Sequence, residues 1–159
     1  VVARTDRAYT SLVEQLSSRT VSRGYCALAW GHVDPPRGVI DAPIGRSDRE
    51  PTRMAVSDHG REARTHYVVE RVFTEPTDAS LLTCHLETGR THQIRVHLAA
   101  IGHPVVGDDR YRGRRAKIEV DRPFLHAATL AFDHPVTGER MAFESPLPAD
   151  LAAVLAILR

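Results

Sequence analysis

The chain has 159 residues, 42% apolar and 26% charged, which suits one domain with its own core and is short for two. No apolar run approaches the length of a bilayer span and no basic-then-apolar leader opens the chain, so neither a membrane nor a secreted protein is indicated and a cytoplasmic location is expected. The formal net charge of +1 does not announce a nucleic-acid partner, yet Lys117 is the only lysine among 21 basic residues. Arginine suits bidentate phosphate contacts and base stacking, although a GC-rich genome accounts for most of such a bias.

Taken in chain order, Thr5 to Ser18 reads as an amphipathic helix capped by Thr5 or Asp6, with Tyr9, Leu12, Val13 and Leu16 at helical spacing. Val21 to Trp30 reads as a strand with Tyr25, Ala27 and Ala29 on one face. Asp34 to Gly38 is a turn, and a short strand follows at Val39 to Asp41. Ile44 to Arg53 is polar and loop-like. Met54 to Val56, Arg64 to Phe73 and Leu81 to Glu87 read as strands. After the Thr88-Gly89 turn, Thr91 is expected to cap a helix to Ile101, closed by Gly102 and His103-Pro104. Its stripe of Ile94, Leu98 and Ile101 should face the core. Gly107 to Arg122 is irregular and basic. Leu125 to Phe132 and Arg140 to Glu144 form a hairpin around His134 to Gly138, and Pro148 opens a last helix to Arg159. Strands outnumber helices and short turns join them, so the expected class is α+β, a mostly antiparallel mixed sheet with helices packed on it.

Leu86-Glu87-Thr88-Gly89-Arg90-Thr91-His92-Gln93-Ile94-Arg95-Val96-His97 is the strongest local signal. It places a glycine turn before a helix start, where free N–H groups attract anions. Arg90 and Arg95 lie at or inside that first turn and oppose the helix dipole by about 0.3–1 kcal/mol each. An anion should compensate: a bound phosphate, or a carboxylate from elsewhere in the chain. His92 and Arg95, one turn apart, should share a face turned to a cleft. Tyr25, in mid-strand, can offer a flat ring and a hydroxyl to a base, or simply be half-buried on the sheet. The segment Arg110 to Lys117 can follow a phosphate backbone or be a solvated loop. Cys26 and Cys84 lie in apolar strands without zinc spacing and read as buried small hydrophobes.

Nine histidines raise a metal reading, but His92 and His97 diverge around a helix and no HExxH is present. Only His85, His126 and His134 are left to meet in three dimensions. A nucleotide-cofactor or serine-hydrolase reading finds no glycine-rich phosphate loop and no G-x-S-x-G elbow. Neither a metal nor a cofactor is expected.

Several segments resemble, in order and spacing, RluA-type RNA pseudouridine synthases. LETGRTHQIRVH at Leu86 to His97 is similar to the family's C-terminal motif. Arg23 to Leu28, Asp41 to Arg46, Thr65-His66-Tyr67, Gly102 to Asp108 with Tyr111 and Gly113, Leu125-His126-Ala127 and His134-Pro135 agree with other family segments. The resemblance covers essentially the whole chain. It implies the catalytic-domain fold of that family and a target uridine flipped out of structured ribosomal or transfer RNA. An aspartate attacks, the N-glycosidic bond breaks, the base turns and a C–C bond to C5 forms, without cofactor or metal. It implies that Tyr25 stacks on the base and accepts the C5 proton, and that Arg95 pairs with the aspartate. It implies that Arg90, His92 and Gln93 line the cleft entrance and contact RNA, and that Leu125 packs near the base. Arg46 and Arg112 are further candidate RNA contacts.

The chain departs from the pattern at its start. The family's H-R-L-D-x-x-T-S-G segment runs directly into V-V-A, and Val1-Val2-Ala3 opens this chain. The nucleophilic aspartate is therefore expected upstream of Val1, as are the earlier strands and any S4-like RNA-binding domain. Residues 1–159 are expected to be one catalytic domain, incomplete at its N-terminus, in a monomeric protein. On this expectation Arg95 loses its partner in the 159 residues, at a cost of several kcal/mol. The alternatives are a catalytically inactive RNA-binding fragment and a hydrolase with a histidine-bound metal.

Overall fold

A computed structural model describes residues 1–159. The centre of the protein is β1 (Ser22–Trp30), whose second half, Ala27 to Trp30, is buried. A strand flanked on both edges and covered on both faces loses its polar alternation, and Ala27-Leu28-Ala29-Trp30 is such a run. β2 (Arg37–Asp41), β5 (Arg64–Phe73), β6 (Ala79–Leu86), β7 (Leu125–Asp133) and β8 (Arg140–Glu144) complete a six-stranded sheet in the order β2-β5-β6-β1-β7-β8. Every pairing in it is antiparallel, so the sheet is not mixed. Ile44 to Arg46, expected as loop, is a strand, β3 (Ile44–Arg46). It pairs with β4 (Met54–Val56) as a separate two-stranded sheet.

Three helices accompany the sheets. α1 (Asp6–Ser17) starts on Thr5, whose hydroxyl accepts the Ala8 N–H at 3.2 Å. Of its expected apolar stripe only Leu12 is buried; Tyr9, Val13 and Leu16 are exposed. The helix reaches the sheet through Leu12, which clusters with Val21 and Phe132, and through Gln15, which brackets the backbone of Asp133. α2 (Gln93–Ala100) buries Ile94 and Leu98 in the main core, but Ile101, just past its end, stays exposed. Gly102, at φ +87, closes α2 as the sequence predicts. α3 (Ala149–Ala156) begins after Pro148, ends three residues short of Arg159, and buries Leu151 and Val154.

The main core joins Leu28, Trp30, Phe73, Leu82, Leu98, Phe124 and Leu151. Each fully buried side chain of this size contributes about 1.5–3 kcal/mol relative to exposure. Cys84 is buried in that core and its thiol is pushed up to about 12 by burial, while Cys26 is half-buried; both are free. The irregular segment between α2 and β7 is tied to β1: Trp30 Nε1 donates to the Gly113 carbonyl at 2.5 Å, and Val106 N–H donates to the Leu28 carbonyl at 2.8 Å. That tie carries Asp108 and Tyr111 to the side of α2.

Candidate functional site

The start of α2 is held by Gln93. It is 2% exposed and makes four hydrogen bonds. Its Oε1 accepts from the Thr88 hydroxyl at 2.8 Å and the Arg90 N–H at 3.0 Å. Its Nε2 donates to the Arg64 carbonyl at 2.9 Å and the Thr65 hydroxyl at 3.0 Å. Gln93 therefore locks the glycine turn to β5, which corrects its expected place at the cleft entrance: a side chain with every polar group satisfied inside the fold has nothing left for RNA. The N-cap position also differs from expectation. It is His92, not Thr91, in the left-handed region at φ 58 and without a side-chain cap. A non-glycine residue held there stores strain of about 1–3 kcal/mol, a feature that clusters at functional sites.

Arg95, one turn into α2, has a carboxylate partner within the 159 residues. Its Nε donates to Asp108 Oδ2 at 2.6 Å and its Nη2 to Asp108 Oδ1 at 2.8 Å. The expected loss of a partner is thus corrected: the carboxylate called for by the helix dipole is supplied by Asp108, which is wholly buried. Arg95 also lies over the ring of Tyr111, 5.0 Å from its centroid, and Arg53 lies 5.3 Å from the same centroid. The Tyr111 hydroxyl accepts the Met54 N–H at 3.4 Å and is hydrogen-bonded to His92 Nδ1 at 2.9 Å. Burial, then the nearby Arg95 and Arg110 charges, push the His92 imidazole down, which favours its neutral form. His92 and Arg95 do share one cluster, with Asp108 and Tyr111 as members not singled out for it from sequence.

Tyr25 stands elsewhere on the sheet. It follows a β-bulge where β1 pairs Gly24 with Thr129 but Tyr25 with Ala127, skipping Ala128. Such bulges re-aim side chains. A Cβ on Gly24 would meet the Thr129 hydroxyl at 2.3 Å and force that side chain to shift. Tyr25 is half-buried in the wall of a largely apolar cavity of about 300 Å³, with Arg23, Leu12, Leu16, Ala127 and Thr129 among its neighbours. Its hydroxyl bonds to no protein group. Arg23, two residues earlier, has a buried Nε with no partner, and burial pushes its guanidinium down. Arg23 also lines an adjoining cavity with Arg61, Arg90, Arg19 and Glu87, of which Arg19 and Glu87 are paired with each other, so a surface rich in arginine borders the Tyr25 cavity. Leu125 is half-buried, paired with Ala27 and packed on the main core. No hydrogen bond joins the Tyr25 cavity to the Arg95 cluster.

Arg90 donates to the Glu62 carbonyl at 2.9 Å and pairs with no carboxylate. Arg46 is exposed and bonds the Pro51 carbonyl at 2.9 Å. Arg112 is exposed, at φ 63, and lines a groove of about 480 Å³ with Arg53, Arg115, Val96 and Tyr111. The histidines left open for a metal stand apart in their bonding: His126 donates to the Ser145 carbonyl, and His134 Nδ1 accepts from the turn at Val136 and Thr137. No three His, Cys, Asp or Glu residues converge as a metal site, and no helix is long and apolar enough to cross a membrane.

This arrangement can be set beside known proteins. The family model described as RNA pseudouridylate synthase matches residues 1–100. An uncharacterised RNA pseudouridine synthase of Chloroflexus aurantiacus is 52% identical over 155 residues, covering 98% of this chain and 48% of the relative. Ribosomal large subunit pseudouridine synthase D of Nitrosomonas europaea is 50% identical over 167 residues, covering 100% of this chain and 47% of the relative. The chain thus spans about half the length of these relatives. The solved structure of human RNA pseudouridylate synthase domain containing 1 superposes with a TM-score of 0.78 at 32% identity, over 99% of this chain and 66% of that one. Human RNA pseudouridylate synthase domain containing 4 superposes at 0.73 with 22% identity, which speaks for the fold alone. With the motif segments, the antiparallel α+β fold and these similarities in agreement, the chain belongs to the RNA pseudouridine synthase family of the RluA type.

Proposed function

We propose that the complete protein isomerises a uridine of structured ribosomal or transfer RNA to pseudouridine, as a monomer in the cytoplasm. The base is flipped into the site, an aspartate upstream of Val1 attacks, and the C1′–N1 bond breaks. The base turns, C5 displaces the aspartate so that the C1′–O bond breaks as the C1′–C5 bond forms, and the proton leaving C5 is balanced by one gained at N1. One bond is exchanged for another within a single nucleotide, with no net oxidation and nothing lost from the nucleotide, so the step calls for neither redox partner nor cofactor. Tyr25 stacks on the base and accepts the C5 proton, Leu125 packs beside the base, and Arg95 holds the aspartate ionised. Arg90, His92, Arg46 and Arg112 contact the RNA. Lacking that aspartate, residues 1–159 alone are expected to bind RNA without turning it over.

The observation that carries this reading is the setting of Tyr25: behind a bulge, half-buried, its hydroxyl unbonded, in an apolar cavity of about 300 Å³ bordered by arginines. That volume lies at the small end of ligand pockets, and an apolar slot beside cations suits a base with its phosphate. The test is release of tritium from RNA carrying 5-tritiated uridine, with the complete protein. Removing a positioned proton acceptor costs about 10²–10⁴-fold. Tyr25→Phe and Arg95→Ala are each expected to lose activity on that scale, and a wild-type rate in either overturns its assigned role.

A further inference from the structure

Asp108 grips only one edge of Arg95. The carboxylate takes the Nε and Nη2 protons, and the Nη1 group donates to no protein acceptor. Since Arg23 Nε is the one buried side-chain nitrogen without a partner, the free edge of Arg95 reaches the surface. The side chain as a whole is 18% exposed, against 0% for Asp108. A planar guanidinium with one edge clamped presents its other edge in a fixed direction, which an ammonium cannot do.

The two oxygens of Asp108 have different duties. Oδ1 accepts the N–H groups of Arg110 at 3.0 Å and Tyr111 at 3.2 Å, closing the turn, besides the Nη2 proton. Oδ2 has Arg95 Nε as its sole partner. Closing the turn needs only Oδ1; the charge and the second oxygen serve the guanidinium. Tyr111, whose N–H is fixed by the same carboxylate, lays its ring beside Arg95 and so restrains its plane as well.

We infer that Asp108 is a positioning residue of the pseudouridine synthase reaction, clamping Arg95 so that the free edge of the guanidinium meets a second anion. The identity of that anion, the carboxylate of the nucleophile, rests on the function proposed above. Asp108 itself touches no substrate. Two carboxylates then flank one cation, and the charge of Asp108 partly offsets what Arg95 does for the nucleophile. Removing that charge lowers the pKa of the nucleophile while loosening the geometry.

The test uses the complete protein and the tritium-release assay. Asp108→Asn keeps an oxygen for the two N–H groups of the turn and removes the charge. It is expected to lower kcat by about 10- to 100-fold, the scale of a lost supporting partner, with the KM for RNA within about threefold of wild type. The acid limb of its pH profile should move to lower pH, which a merely structural defect would not produce. In an Arg95→Gln background, Asp108→Asn should cost nothing further, because its effect passes through Arg95. A wild-type rate in Asp108→Asn, beside an impaired Arg95→Gln, overturns the inference and leaves the proposed function standing. Losses that multiply in the double variant also overturn it, since Asp108 would then act independently. A wild-type rate in Arg95→Gln removes both the role of Arg95 and the inference. Should Asp108→Asn fail to fold, Arg95→Lys decides. It keeps a cation on Asp108 but presents no second edge, so it should fold and lose activity as Arg95→Gln does; wild-type activity in it overturns the inference.

Discussion

The Nδ1 atom of His97, on α2, lies 2.9 Å from the Thr65 hydroxyl on β5, and that hydroxyl also accepts from Gln93 Nε2 at 3.0 Å. His97 Nε2 donates to the Ala42 carbonyl at 2.9 Å, so Nδ1 is the acceptor and Thr65 the donor. One buried threonine thereby ties two residues of the motif helix to the sheet, and the arrangement requires a neutral imidazole.

Burial pushes the His97 imidazole down from 6.5, only partly opposed by the Ala42 carbonyl and Asp41, and His92 is pushed down as well. The unfolded chain therefore takes up protons near pH 6.5 that the folded chain refuses until lower pH. The corresponding stability is fully present above about pH 6.5 and is lost as pH falls through the lowered folded values. Glu87 and Asp150, whose carboxyls are held down by neighbouring His66, Arg64, Arg19 and Arg122, act in the same direction only below about pH 4.5. Urea midpoints should be lower at pH 5.5 than at 7.5, and His97→Gln should shrink the difference. An unchanged difference would mean that His97 titrates normally in the folded protein.

Gln93→Ala removes four buried hydrogen bonds and leaves the Thr88 hydroxyl proton and the Arg90 N–H without partners, while the Arg64 carbonyl keeps the Glu87 N–H. Unsatisfied buried groups cost about 1–3 kcal/mol each, so a loss of about 2–4 kcal/mol is expected by urea unfolding. Under conditions where the variant stays folded, its RNA affinity should match wild type. A folded variant that binds RNA weakly would return Gln93 to the RNA interface.

Gly113 has no room for a side chain: a Cβ would stand 1.7 Å from the Val105 carbonyl oxygen. Its own carbonyl receives Trp30 Nε1, and its N–H donates to the Asp108 carbonyl at 2.7 Å. Gly113→Ala should cost at least the roughly 1–3 kcal/mol of an overpacked core, read as a fall in Tm. Gly138→Ala, at φ +73 with open space around it, should cost only the roughly 1–2 kcal/mol of a left-handed non-glycine residue. Equal losses would contradict the packing around Gly113.

Arg46 and Arg112 are exposed beside the groove and the β3–β4 hairpin. Arg46→Ala and Arg112→Asn, the latter chosen because asparagine tolerates positive φ, should weaken RNA binding for all sequences alike. Each should also reduce the slope of log affinity against log salt by about one. A slope unchanged in either variant would take that arginine out of contact with phosphate.

Much of the fold is legible in the sequence because it is set locally. Thr5 as a cap, the Val21 to Trp30 strand, the Thr88-Gly89 turn, Gly102 as a helix stop and the late hairpin depend on neighbours within a few residues, and all are found. The motif segments were sufficient to indicate the family. What the sequence did not disclose depends on what covers each residue. Ile44 to Arg46 looks polar and becomes a strand only because Met54 to Val56 pairs with it. Gln93 looks like a surface residue of a helix start and is buried because β5 lies against it. His92 takes the cap position in place of Thr91 with the Tyr111 hydroxyl, nineteen residues away, on its ring. The partner of Arg95 lies thirteen residues on, in an irregular segment with no periodicity to reveal it. Spacing along a chain states which groups can share a helix face. It cannot state which distant carboxylate is desolvated enough to need a cation, and that is decided only when the loop after α2 folds back and buries Asp108.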